Sequence, residues 1–90
     1  MRTIDVLGVP FTIVYANLEK DGVYGDCEPL SQTIRIDNTI PIDHQQKVLA
    51  HELTHAALRI SGLNELVDDK IEEAICVLME TAYKVYEDVI

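Results

Sequence analysis

His51-Glu52-Leu53-Thr54-His55 is the stretch whose residue types and spacing can do chemistry. On a helix each residue turns the axis by about 100°, so side chains four apart project from one face, one turn apart. Two imidazoles placed that way can grip a single zinc ion. Glu52 falls on the flank, too far round to join the grip. From there it can take a proton from a water held at the metal. This is the H-E-x-x-H arrangement of zinc hydrolases. It needs a third ligand, a helix to hold it and an open fourth position.

The elements around it must supply those needs. Residues 3–16 read as β: Ile4 and Val6 alternate with polar neighbours, Gly8-Val9-Pro10 interrupts, and Phe11, Ile13 and Tyr15 recur at period two. Asn17–Gly22 is a turn ending in Asp-Gly, Val23–Cys27 a further strand, and Thr33–Asp37 a short strand with Ile34 and Ile36 on one face. Thr33–Asp37 is the strand expected to offer an edge to an extended peptide.

Pro41 precedes a helix expected over about His44 to Ile60, with Asp43 and Gln46 as a capping box and Gly62 as its left-handed stop. Leu49, Leu53, Ala56 and Ile60 form the stripe expected on the sheet. Val48, His51, His55 and Leu58 face the other way, so a second partner must cover them. A second helix from Lys70 to about Asp88, capped by Asp69 with Glu72, is that partner. Its expected apolar stripe is Ile71, Ala74, Ile75, Leu78, Ala82, Val85 and Val89. The fold class is α+β: a small three- or four-stranded antiparallel sheet followed by two packed helices, in a single domain over residues 1–90.

Composition narrows the function. The chain is 48% hydrophobic and 26% charged, which reads as globular, and its net charge of −9 argues against direct nucleic-acid binding. Neither an apolar run of membrane-spanning length nor the apolar core of a signal peptide is present in the sequence. Cys27 and Cys76 are far apart, without a disulfide framework. The expectation is a cytoplasmic protein with no membrane partner.

The third ligand should be a carboxylate early on the second helix. Glu72 lies nearer the edge of the apolar stripe than Glu73, so periodicity alone favours Glu72. The sequence also resembles the gluzincins, zinc peptidases with this pentapeptide on one helix and a ligand glutamate on the next. In their pattern an isoleucine precedes the ligand glutamate and Ala-Ile follows it, which Ile71-Glu72-Glu73-Ala74-Ile75 fits with Glu73 as ligand. With the strand Gln32–Asp37 ahead of the helix, the chain looks most like the ImmA/IrrE metallopeptidase-like family of phages and mobile elements. The resemblance implies a minimal zincin core, a Zn2+ cofactor, and hydrolysis of a protein substrate such as a helix-turn-helix repressor. Four residues after the ligand glutamate the pattern has an aspartate supporting a histidine ligand; Val77 stands there instead.

The expected centre is therefore His51, His55 and Glu73 on zinc, with Glu52 as the catalytic base. The alternative is a non-catalytic binding module of the same fold, an anti-repressor or partner-docking protein. His44 falls on the histidine side of the helix and either lines the cleft or is solvated. Cys76 reads as a small core residue or a metal group. Tyr24, Tyr83 and Tyr86 are candidate oxyanion donors.

Overall fold

The computed structural model describes residues 2–89, and side chains as far as residue 85. Four strands form one sheet: β1 (Arg2–Val6), β2 (Val9–Ala16), β3 (Gly25–Glu28) and β4 (Thr33–Asp37). Two helices follow, α1 (Ile42–Ser61) and α2 (Asp69–Val89). The α+β class expected from sequence is the class observed.

The sheet is mixed rather than antiparallel. Its order is β1-β2-β4-β3, with β1 and β3 antiparallel to their neighbours and β2 parallel to β4. Alternation within a strand fixes which face is buried, not which neighbour pairs. After β2 the chain crosses to the outer edge, lays down β3, and returns through Pro29–Gln32 to insert β4 beside β2. Thr12 N–H donates to Gln32 O at 2.8 Å and Asn38 N–H to Ala16 O at 2.9 Å, fastening both ends of that insertion. β4 is consequently paired on both sides, which removes it as a peptide-accepting edge; β3 is the outermost strand on that side.

Phe11 and Ile13 of β2, Ile34 and Ile36 of β4, and Val6 of β1 form the buried face, closed from above by Ala56 of α1. Leu49, Leu53 and Ile60 pack on that cluster as their spacing implied, joined by Val48. The passage from β4 to α1 is tied by Asp37, whose Oδ1 accepts from Thr39 N–H at 3.0 Å and Thr39 Oγ1 at 2.8 Å. Those bonds, the backbone one first, hold the Asp37 carboxyl below its usual range.

The helix ends differ in detail from expectation. α1 starts behind Pro41 without a side-chain cap, so Asp43 and Gln46 form no capping box. Its last turn closes on Gly62 at φ 80°, as expected. At α2 the cap is Asp68, whose Oδ1 accepts from Ile71 N–H at 2.8 Å. α2 packs against α1, but not through its anticipated apolar stripe. Ile71, Leu78 and Val85 are 49%, 64% and 63% exposed, whereas Glu72 and Cys76 are buried. The side chain of Val89 lies outside the described residues.

Candidate metal centre

That rotation of α2 follows from what α1 presents to it. His51 and His55 project from consecutive turns, their ring centroids 5.0 Å apart. Glu72, Glu73, Cys76 and Glu80 are spaced to share one face of α2, and that face meets the imidazoles. Polar rings partly withdrawn from water need polar partners, and the apolar stripe offers none.

The Glu73 carboxylate meets Nε2 of both rings, at 2.9 Å from His51 and 3.3 Å from His55. Each Nδ1 has a carboxylate of its own. Glu72 Oε2 lies 2.6 Å from His55 Nδ1, and Glu80 Oε1 is hydrogen-bonded to His51 Nδ1. Periodicity had favoured Glu72; the structure sets Glu72 behind one ring and Glu73 between both. Val77 is half exposed and takes no part. Support for the histidines comes from Glu72 and Glu80 instead. Glu80 was missed in the sequence, although its seven-residue spacing from Glu73 places both on one helix face.

Cys76 is wholly buried beside this group, and its Sγ lies within 4.8 Å of donor atoms of both His51 and His55. His51, His55 and Cys76 thus form a cluster able to hold a metal ion. Burial, reinforced by Glu73 and Glu72, pushes the Cys76 thiol up to about 12. Cys27, on β3, is pushed up to about 11, chiefly by burial and then by Glu52.

Glu52 is 8% exposed. Burial raises its pKa, opposed by the nearby His51 and His55, so it holds a proton more tightly than a solvated glutamate. It shares a cavity of about 510 Å³ with His51, His55, Glu73 and the β3 residues Gly25 and Asp26. A second cavity of about 470 Å³ also touches Gly25, His51 and Glu52, and continues to Tyr24, His44 and Lys47. Together they trace a groove beside β3. His44 lines it, its ring edge-on to Tyr24 at 4.8 Å. Tyr83 belongs elsewhere, in an apolar cavity with Leu49, Leu53, Ile75 and Met79. The side chain of Tyr86 lies outside the described residues.

The architecture defines a class: a small α+β domain with an H-E-x-x-H helix and a carboxylate-bearing helix packed across it. A model of the DA1-like family (Protein DA1) matches residues 17–87, and the chain belongs to that family. No curated protein and no solved structure matches it. The family match corrects the resemblance to ImmA/IrrE proteins. The residues behind that resemblance are the pentapeptide, a glutamate on the next helix and a strand ahead of it. Ligand types and their spacing follow from the metal chemistry, so those few residues cannot tell one such family from another. A repressor substrate, an anti-repressor role and a phage origin lose the support that resemblance lent them. Among the described residues no helix is long and apolar enough to cross a membrane.

Proposed function

We propose that this domain is a zinc-dependent peptidase whose metal is held by His51, His55 and Glu73, with Glu52 as the general base. One observation carries the reading: both nitrogens of both imidazoles face carboxylate oxygens. A neutral imidazole has one N–H and satisfies one such oxygen. A divalent cation between the Nε2 atoms and Glu73 resolves the mismatch. Bonds of about 2.0–2.1 Å in a tetrahedral site put neighbouring donors about 3.3 Å apart. Glu73 Oε2 lies 3.3 Å from His55 Nε2 and Glu73 Oε1 2.9 Å from His51 Nε2, separations of the size that ligands sharing one ion require.

A zinc ion there would lower the pKa of a water to about 7 and polarise a carbonyl. The chain's own residues do the rest. Glu52, buried at the floor of the groove, accepts the proton of the attacking water and returns it to the leaving amine. β3 is the outer strand of the sheet and lines the groove beside Glu52, so its free backbone groups can align an extended peptide. That neighbour is the support for peptide over other substrates. Cytoplasmic residence stays part of the proposal, resting on the cysteines without a disulfide framework.

A second reading is favoured by the buried Cys76. If its sulfur joins both histidines and Glu73, the set is closed by four protein ligands and the ion is structural. Glu73, 55% exposed on its side chain, opens the site to the groove and favours the first reading.

The test is metal analysis of tag-free protein together with Glu52→Gln in a peptide-hydrolysis assay. About one zinc per chain is expected, retained in Glu52→Gln while hydrolysis falls by roughly 10²–10⁴-fold. Protein purified without stoichiometric metal, or a variant as active as the parent, overturns the proposal.

A further inference from the structure

Taking the metal-centre reading as its basis, we infer that Glu72 and Glu80 are positioning residues that fix both histidines in the tautomer able to bind the ion. A carboxylate can only accept a hydrogen bond. With the ion taking the Nε2 side, His55 Nδ1, 2.6 Å from Glu72 Oε2, is the nitrogen left to carry the proton, and His51 Nδ1 likewise toward Glu80. Each neutral ring then has its lone pair on Nε2, and both Nε2 atoms point to Glu73. A carboxylate behind a ligating imidazole also strengthens it as a donor.

The two supports are not equivalent. Glu72 is 7% exposed and comes from the first turn of α2, where its charge meets the positive end of the helix dipole. Glu80 stands two turns further on, with a side chain 32% exposed. One helix therefore supplies a ligand and both supports. Turning α2 by one residue would displace all three, which ties its exposed apolar stripe to the needs of the site.

The experiment uses the full chain in metal-free form, as wild type, Glu72→Gln and Glu80→Gln. Zinc affinity is measured by competition with a chromophoric chelator, and histidine tautomers by long-range 1H–15N correlation spectra. An amide is a weaker acceptor and also a donor, so each change should weaken zinc binding by about 10–100-fold. The tautomer change should be local: His55 loses its Nδ1–H preference in Glu72→Gln, and His51 in Glu80→Gln. A merely structural glutamate would not produce that selectivity. Wild-type protein that binds no zinc sinks the metal-centre reading, and this inference with it. Wild-type protein that binds zinc, with variants unchanged in affinity and tautomer, overturns the inference alone. If Glu72→Gln fails to fold, the more exposed Glu80→Gln decides.

Discussion

Gly25 approaches Val48 so closely that a Cβ on the glycine would stand 2.5 Å from Val48 Cγ1. The same Cβ would stand 2.9 Å from the Arg35 carbonyl oxygen and 3.5 Å from Glu52 Cγ. The absence of a side chain at Gly25 is what seats β3 against α1, next to the proposed base. Gly25→Ala should therefore cost about 1–3 kcal/mol by overpacking, a fall in melting temperature of roughly 4–8 °C per kcal/mol. Val48→Ala added to it should recover only part, because the Arg35 carbonyl belongs to the backbone and cannot yield. Thermal melts of the single and double variants check this. A Gly25→Ala protein as stable as wild type would show that β3 is not pinned here.

Glu73 is a ligand in both readings of the site and Cys76 in only one, and two variants separate them. If Glu73 is the ligand, Glu73→Ala should weaken zinc binding on the order of a hundredfold or more, beyond the loss of a supporting group. Cys76→Ala should leave affinity within a few-fold and lower stability by about 1 kcal/mol through a small cavity. Large losses of affinity in both variants in a zinc titration would establish the closed, structural site.

Asp37 gives a pH dependence away from the metal centre. Its folded pKa lies below the 3.8 of the unfolded chain, because Thr39 N–H and Oγ1 donate to the ionised form. A depressed carboxylate pKa adds stability that is present above pH 3.8 and lost as pH falls through the folded value. Asp37→Asn should melt below wild type at neutral pH, and the gap should narrow as acid protonates Asp37. Melting curves of both proteins from pH 7 to pH 2.5 measure it. A gap independent of pH would mean that packing, not charge, is what Asp37 provides.

How far the sequence speaks depends on the range over which its signals act. Helix periodicity put His51 and His55 side by side, and the spacing of Ile34 and Ile36 fixed the buried face of β4, because both act within a few residues. The parallel pairing of β2 with β4 did not show, since Thr12 meets Thr33 only after the chain has doubled back through β3. The partners of the histidines fell between. Glu72, Glu73 and Glu80 share a face by simple spacing, but which one meets Nε2 depends on how α2 is rotated against α1. Hydrophobic patterning misjudged that rotation.

The misjudged rotation can itself be measured at Leu78. Counting apolar residues at helical spacing put Leu78 at the centre of the α2 interface, yet it is 64% exposed, while Ile75 lines the cavity against Leu49 and Leu53 of α1. The histidines explain why: an interface through Leu78 would carry Glu73 away from both Nε2 atoms, leaving part-buried imidazoles without polar partners, which costs more than exposing one leucine. Leu78→Lys should then change stability by no more than about 0.5 kcal/mol, as for an ordinary surface site. Ile75→Ala should cost about 1–2 kcal/mol, less than the 2–5 typical of full burial. Urea denaturation of the two variants decides between the rotations. A loss at Leu78 as large as that at Ile75 would put the whole apolar stripe against α1 and take the three glutamates away from the histidines.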